Sequence, residues 1–240
     1  MSSGSGGGNA FEQWVLKVKR KETPAARLAH DAYRRMLALN VPDNAATRRA
    51  YTAVNVVHDL VTDAREWASA KLLFEPMLRA RCEHVGVRLN VTSMPYVRGH
   101  MRIVIGDDCT FSSFSVAAGR FVDRPELLVG NGCTVGSNVF FSVNKRITLE
   151  DHVGIAGRVA LQDSDGHPSD PDKRMRGELM TEADIAPVTI KEYAWIGRDS
   201  HIMKGVTIGR GAIVASGSVV ATDVPDGAIA MGVPARVIKR

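Results

Sequence analysis

The sequence is poor in cysteine and in aromatic residues, and it has no long apolar run. Its three cysteines, Cys82, Cys109 and Cys133, form no Cys-x-x-Cys pair, which predicts buried thiols in a reducing, cytoplasmic compartment. No apolar stretch approaches the roughly 18–20 residues that a membrane-spanning helix needs, so we expect no integral membrane segment. Residues 1–10 are rich in Ser and Gly, without a basic flank or an apolar centre. They predict a flexible tail rather than a signal peptide.

Acidic residues are fewer than basic ones. Aromatic residues make up 6% of the chain, and its net charge is +5. This charge suits an anionic partner, a class that includes a nucleotide-containing cofactor, a nucleic acid and an acidic glycan. The N-terminal arginines are not interleaved with aromatic residues, and no nucleic-acid-binding motif appears. We therefore expect no nucleic-acid partner.

A six-residue repeat runs from Val188 to Arg240. An aliphatic residue recurs at every sixth position, and a small or medium residue follows it four positions later. The recurring aliphatic residues are Ile190, Ile196, Ile202, Ile208, Val214 and Val220. A period of six fits neither one face of a helix nor an ordinary strand. It predicts short extended segments joined by corners and stacked into a solenoid, as in a parallel β-helix.

The same frame reaches back to about Ile103, with two interruptions. The first lies near residues 119–126, where charged residues predict a loop outside the stacked coils. Cys109 and Cys133 occupy the small inward position of their repeats. The second interruption, residues 162–187, is highly charged, and a loop of this length in a compact domain is usually functional. The sequence therefore predicts a β-helix domain over residues 85–240.

Residues 11–84 predict an α-helical region. The pattern favours helices over residues 11–21, 25–39 and 45–70, with a continuation over 72–81 that breaks at Pro76. Thr23 followed by Pro24 is a typical helix start. Asp43 or Asn44 can cap the third helix.

His167 is our candidate general base. It lies in the sequence Asp163-Ser164-Asp165-Gly166-His167-Pro168, where the chain enters the long loop. A histidine that titrates near 6.5 can accept a proton from a hydroxyl group and pass it to a departing thiolate. A base also needs a partner that orients its ring. Asp163 is our first choice and Asp165 the second, and either one is alternatively an ordinary turn residue.

The C-terminal repeats resemble the hexapeptide-repeat acyltransferases. The resemblance rests on Ala194-Trp195-Ile196-Gly197, on Gly205-Val206-Thr207-Ile208-Gly209, on Ala215-Ser216-Gly217-Ser218-Val219-Val220 and on Gly232-Val233-Pro234-Ala235. The chain is most similar to the galactoside and maltose O-acetyltransferases and to the sugar O-acetyltransferases of polysaccharide assembly. The resemblance implies a left-handed coil, a homotrimer with active sites between neighbouring prisms, and a Gly-His-Pro histidine as the base.

The same resemblance implies where the substrates bind. Asn144, which follows two aromatic residues, matches an acceptor-binding asparagine, and its alternative role is to form a corner. Trp195 should point outward, because Ile196 points inward, and the resemblance puts it near the acetyl-CoA thioester. The implied cofactor residues are Arg198, Ser216, Gly217, Ala221, Thr222, Arg236 and Lys239.

These observations predict an acetyl-CoA-dependent O-acetyltransferase that acts on a sugar or glycan hydroxyl. The alternatives are a serine O-acetyltransferase and a β-helix scaffold that only binds partners. We expect no metal, because His152, His167 and His201 show no short ligand spacing.

Overall fold

The structure is a computed structural model that describes residues 10–20 and 23–238. The predicted tail therefore lies outside the described residues except for Ala10, and so does Lys239. The chain divides into two compact units, residues 1–60 and 61–240. None of the helices in the described part is long and apolar enough to cross a membrane.

Helices make up the N-terminal part of the chain. They are α1 (Ala10–Arg20), α2 (Pro24–Leu37), α3 (Ala45–Ser69) and α4 (Glu75–Arg79), with a π-helical turn over Ala70–Phe74. The predicted starts are correct, because Thr23 Oγ1 accepts a hydrogen bond from Ala26 N and Asn44 Oδ1 accepts one from Ala46 N. The π-helical turn ends two residues before Pro76, whose missing N–H interrupts regular helical bonding.

Twenty short strands follow in chain order. They are β1 (His84–Val85), β2 (Asn90–Val91), β3 (Tyr96–Arg98), β4 (Arg102–Ile105), β5 (Thr110–Phe111), β6 (Phe114–Ala118), β7 (Glu126–Val129), β8 (Thr134–Val135), β9 (Val139–Val143), β10 (Arg146–Leu149), β11 (Gly154–Ile155), β12 (Ala160–Gln162), β13 (Val188–Ile190), β14 (Trp195–Ile196), β15 (His201–Ile202), β16 (Thr207–Ile208), β17 (Ile213–Val214), β18 (Val219–Val220), β19 (Ile229–Gly232) and β20 (Ala235–Ile238).

The strands form a three-sided prism. Sheet A runs β1-β4-β7-β10-β13-β16, sheet B runs β2-β5-β8-β11-β14-β17-β19-β20, and sheet C runs β3-β6-β9-β12-β15-β18. From β1 to β18, every third strand of the chain pairs in parallel with the one before it, as Leu149 does with Ile190 and Ile196 with Val214. This is the predicted parallel β-helix, while its left-handedness stays a prediction.

The six-residue repeat explains the core. All six recurring aliphatic residues from Ile190 to Val220 are at most 1% exposed. The residues four positions later are buried as well, and so are Cys109 and Cys133. Corners make the repeat possible: at one corner of successive coils Asn138, Arg158, Asp199 and Gly217 all have positive φ. One left-handed residue turns the chain so that the next aliphatic side chain again points inward.

Both ends of the prism are covered. At the first coil Leu78 of α4 is fully buried in the core, and Arg79 donates hydrogen bonds to the carbonyl oxygens of Val85 and Gly86. At the last coil β19 and β20 form an antiparallel hairpin over the stack. A solenoid needs such caps, because its end coils have no neighbour to bury them.

The sequence-based boundary between residues 84 and 85 falls inside β1, five residues after α4 ends at Arg79. The compact units divide earlier, at residues 60 and 61. The end of α3, the π-helical turn and α4 therefore belong to the same compact unit as the prism.

Candidate functional site

The turns that lead from sheet C to sheet A line one edge of the prism, which we call the CA edge. It includes residues 119–125 after β6, residues 144 and 145 after β9, and the long loop 163–187 after β12. Both predicted interruptions of the repeat leave the prism at this edge. Polar residues that are far apart in sequence therefore lie side by side here.

The long loop contains regular secondary structure. It contains a short helix, α5 (Pro171–Met175), and a 3₁₀ turn over Glu182–Asp184. The loop closes on itself at its base, where Ala186 N donates to Asp163 O and Asp165 N donates to Asp184 O. The sequence predicted the position of this loop but not its internal structure.

Asp184 holds the loop together. Its carboxylate is buried and accepts hydrogen bonds from Ser169 Oγ at 2.8 Å, from Thr181 N at 2.8 Å and from Thr181 Oγ1 at 2.9 Å. The backbone N–H of Thr181 and these hydroxyl groups hold the pKa of Asp184 well below its usual range. Sequence reasoning missed this residue, although Thr181 followed three residues later by Asp184 is a recognisable helix-capping pattern.

His167 lies exposed at the start of this loop. Its neighbour Pro168 is buried, and the Pro168 carbonyl accepts a hydrogen bond from Arg174 Nη1 at 3.1 Å. Among the described residues the imidazole of His167 has no hydrogen-bond partner. The backbone around His167 is therefore anchored, while its ring is free to contact a ligand.

Asp163 is completely buried, and both of its oxygens bind a turn of the neighbouring coil. Oδ1 accepts from Asn144 N at 2.7 Å, and Oδ2 accepts from Lys145 N at 2.7 Å and from Arg146 N at 2.8 Å. Burial raises the pKa of this carboxyl, and the N–H donors oppose that rise. Among the described residues no hydrogen bond joins Asp163 to His167, so its visible role is to fix the Asn144 turn. Asp165 instead forms an ion pair with Lys204 at 2.5 Å.

Asn144 is also buried, and it connects two turns of the CA edge. Its Nδ2 donates to Ser164 Oγ at 2.6 Å, which ties the β9 turn to the entrance of the long loop. On its other side a Cβ added at Gly119 would lie 1.7 Å from Asn144 Oδ1, so only glycine fits there. Asn144 thus has the corner-forming environment that the sequence left open as its second role. Gly119 and Ser164 were both missed by sequence reasoning.

Trp195 lies on the outer face of sheet B and is 50% exposed, so it points outward as the repeat predicted. Its indole covers Gly154 of the preceding coil, where an added Cβ would lie 2.5 Å from Trp195 Cε3. Gly154 therefore allows the indole to lie flat on the sheet. An exposed indole in a fixed position is suited to contact a ligand or another chain.

The predicted cofactor residues lie on two different edges. Arg198, Ser216 and Gly217 lie on the edge between sheets B and C, which we call the BC edge, where Gly217 N donates to Arg198 O at 2.8 Å. Ala221 and Thr222 follow β18 and lie exposed on the CA edge. Arg236 is exposed on β20. One chain therefore brings Ala221 and Thr222 to the edge that carries His167, and leaves the BC-edge group across sheet C from it.

The three histidines considered for a metal lie in separate places. His152 stacks on Tyr193 at a corner with a ring separation of 5.0 Å, His167 is in the long loop, and His201 is on sheet C. In the described parts of the chain no group of three or more His, Cys, Asp or Glu side chains is placed to hold a metal ion.

Comparison with known proteins agrees with this repeat architecture. Residues 187–222 match the family described as bacterial transferase hexapeptide (six repeats). The chain carries the transferase hexapeptide repeat. The matched residues include five of the seven predicted cofactor positions, which are Arg198, Ser216, Gly217, Ala221 and Thr222.

The chain is 36% identical over 116 residues to galactoside O-acetyltransferase of Escherichia coli (strain K12). The aligned region covers 46% of this chain and 55% of that protein. The chain is 31% identical over 111 residues to galactoside O-acetyltransferase of Lactococcus lactis subsp. lactis (strain IL1403), which covers 46% of this chain and 51% of that protein. The hexapeptide-repeat chain thus spans about half the length of these relatives.

Among solved structures, the chain is similar to the N-acyltransferase AntD from Bacillus cereus in complex with dTDP and 3-hydroxybutyryl-CoA. The TM-score is 0.55 at 19% identity, and the match covers 69% of this chain and 86% of that one. At this identity the likeness concerns the fold alone. The compact unit of residues 61–240, which contains the β-helix prism, is long enough to account for a match of this extent.

Proposed function

We propose that the protein is an acetyl-CoA-dependent O-acetyltransferase that acts on a sugar or glycan hydroxyl. The observation that carries this proposal is His167, an exposed imidazole on an anchored loop of a hexapeptide prism, without a hydrogen-bond partner in the described part of the chain. The identity to galactoside O-acetyltransferases supports transfer to a sugar hydroxyl. The resemblance of the C-terminal repeats supports acetyl-CoA as the donor.

The proposed reaction is a direct transfer. The His167 imidazole takes the proton of the acceptor hydroxyl as its oxygen attacks the thioester carbonyl carbon. The tetrahedral intermediate then collapses, the C–S bond breaks, and the thiolate of CoA receives that proton from the imidazolium. The products are an acetyl ester and free CoA, so atoms and charge balance. General-base assistance of this kind typically contributes about 10²–10⁴-fold to the rate.

Within this proposal the other residues bind and position the substrates. Trp195 contacts the donor near its thioester, and the exposed residues Ala221 and Thr222 border the pantetheine arm. Arg198 and Arg236 meet phosphates of the donor, which suits guanidinium groups that make no ion pair in the described structure. Asp163 and Asn144 hold the turn on which the acceptor site depends.

A homotrimer is part of the proposal. Arg198 and Gly217 lie on the BC edge, and His167 lies on the CA edge of the same prism. Sheet C separates the two edges by about five residues of extended chain, or roughly 16 Å. A neighbouring prism that places its CA edge against this BC edge would bring the two groups together, in keeping with closed cyclic symmetry.

The test of the chemistry is His167→Ala. Release of the CoA thiol from acetyl-CoA would be followed with a panel of sugar acceptors and with L-serine. We expect kcat/KM for the best acceptor to fall about 10²–10⁴-fold. His84→Ala, which removes an exposed histidine from β1, is the matched control and should leave turnover unchanged.

Each contrary result points to a different error. Turnover by His167→Ala within threefold of the parent rate would remove His167 as the base. A preference for serine over every sugar would favour a serine O-acetyltransferase. If the parent protein does not bind CoA saturably in calorimetry, the result would favour a β-helix scaffold that only binds partners.

A further inference from the structure

A second polar region lies on the CA edge, in coils before the one that leads into the His167 loop. An open cavity of about 720 Å³ is bordered by the end of β3 and by the turn over residues 119–125. Its wall includes Arg98, His100 and Arg120, and Asp123 is the acidic residue among the described residues that line it. The cavity thus presents more positive than negative side chains.

The two arginines of this cavity differ from half of the sixteen arginines of residues 61–240. Eight arginines of that unit form an ion pair with a carboxylate. They are Arg79, Arg88, Arg102, Arg124, Arg146, Arg158, Arg176 and Arg210. In the described structure Arg98 and Arg120 have neither an ion pair nor a hydrogen bond. Two guanidinium groups that face one concavity without protein partners are suited to an anionic ligand group.

A chain of contacts joins this cavity to the loop that carries His167. Gly119, which lines the cavity, packs against the amide of Asn144. Asn144 donates to Ser164 Oγ, and Ser164 Oγ accepts from Gly166 N at 3.3 Å. Gly166 directly precedes His167. The path crosses two coil spacings, or roughly 10 Å, a distance that one or two linked sugar rings can bridge.

We propose that Arg98 and Arg120 form an anion subsite for the acceptor, so that the protein acetylates saccharides that carry a carboxylate or a phosphate. The acidic group would bind at the two guanidinium groups, and the hydroxyl of a neighbouring ring would reach His167. The inference rests on the proposed function for its catalytic consequence, whereas binding of the anionic saccharide can be measured without any turnover.

The first experiment measures binding by calorimetry. The probes are trigalacturonate for the carboxylate, galactose 6-phosphate for the phosphate, and neutral galactotriose as the reference. The double variant Arg98→Gln, Arg120→Gln should bind at least one acidic probe about tenfold or more weakly than the parent protein. Galactotriose should bind both proteins alike. Arg65→Gln is the matched control and should behave like the parent, because Arg65 belongs to α3, does not line the cavity and forms no ion pair among the described residues.

The second experiment measures acetyl transfer to the same three probes and the binding of CoA. The double variant should lose about tenfold or more in kcat/KM for an acidic acceptor, with little change for the neutral one. Equal binding of both acidic probes by parent and double variant would overturn the subsite. So would a double variant that loses affinity for CoA but not for acidic saccharides, because the arginines would then serve the donor. If the parent protein binds an acidic probe more tightly than the double variant does, but transfers no acetyl group to any probe, the proposed function is rejected and the anion subsite is kept.

Discussion

At the scale of single residues, Asp163 shows how a buried charge can organise a functional edge. Its carboxylate lies at 0% exposure and accepts three backbone N–H groups from Asn144, Lys145 and Arg146. Asn144 and Lys145 form the turn between sheets C and A, and Arg146 is the first residue of β10. One side chain therefore satisfies polar groups that burial would otherwise leave without hydrogen bonds.

We expect Asp163→Ala to lower the free energy of unfolding by about 2–4 kcal/mol, because several N–H groups lose their acceptor at once. Chemical denaturation of the purified protein measures this change. Asp165→Ala, which removes a partly exposed ion pair with Lys204, should cost no more than about 1 kcal/mol. Equal losses in the two variants would show that the buried turn does not depend on Asp163.

At the scale of elements, the loop over residues 163–187 depends on Asp184 for its shape. The carboxylate joins Ser169 near the start of the loop to Thr181 near its end. Since these hydrogen bonds lower the pKa of Asp184, they stabilise the folded loop at neutral pH. That contribution is present above the ordinary carboxyl value of about 4 and is lost as the pH falls below it.

The loop should consequently open in acid before the coils do. Pepsin cleavage, mapped by mass spectrometry as the pH is lowered from about 4, should appear within residues 170–187 first. At neutral pH Asp184→Asn should open the same segment to trypsin at Lys173, Arg174 and Arg176. Asp172→Asn, an exposed acid in the same loop, serves as the control. Simultaneous cleavage of the loop and the coils in acid would show that Asp184 does not stabilise the loop independently of the coils.

At the scale of the whole molecule, the prism separates the predicted site residues instead of gathering them. His167 and Arg198 lie on different edges, with sheet C between them. Symmetric association of identical prisms is the simplest way to complete such a site. A site shared between two chains therefore requires an assembly for activity, whereas a site contained in one chain does not.

Native mass spectrometry should give three times the chain mass of 26.0 kDa. A mixed assembly of His167→Ala chains with Arg198→Glu chains should regain activity above either variant alone, because some interfaces would contain both original residues. A monomeric mass, or mixed assemblies as inactive as the separate variants, would contradict a site built from two chains.

Much of this structure could be predicted from the sequence, because its information is local and repeated. Ile190, Ile196 and Ile202 occupy the same position in successive repeats, so one correct interpretation of the period fixed them all as buried. Thr23 and Asn44 cap helices by contacts with residues two or three positions away. Both repeat interruptions were correctly predicted to leave the prism, since charged residues cannot be stacked inside it.

The partners of the polar residues could not be predicted in the same way. Asp163 binds a turn that is 17–19 residues earlier in the chain, and Gly119 packs against Asn144 25 residues later. Adjacency in sequence favoured Asp163 as the partner of His167, but the stacking of coils gave it three backbone donors instead. The internal structure of the loop was missed for the same reason, because Asp184 joins Ser169 to Thr181, 12 positions later in the chain, only after the loop has closed.

By itself the sequence determined the solenoid, its buried positions and the point where the long loop leaves it, because a short repeat sets which side chains face inward. Tertiary structure alone decided which polar groups meet along each edge. Coil stacking brings together residues separated by a whole turn, and the loop insertions change that separation from one coil to the next, so no spacing in the sequence encodes those contacts.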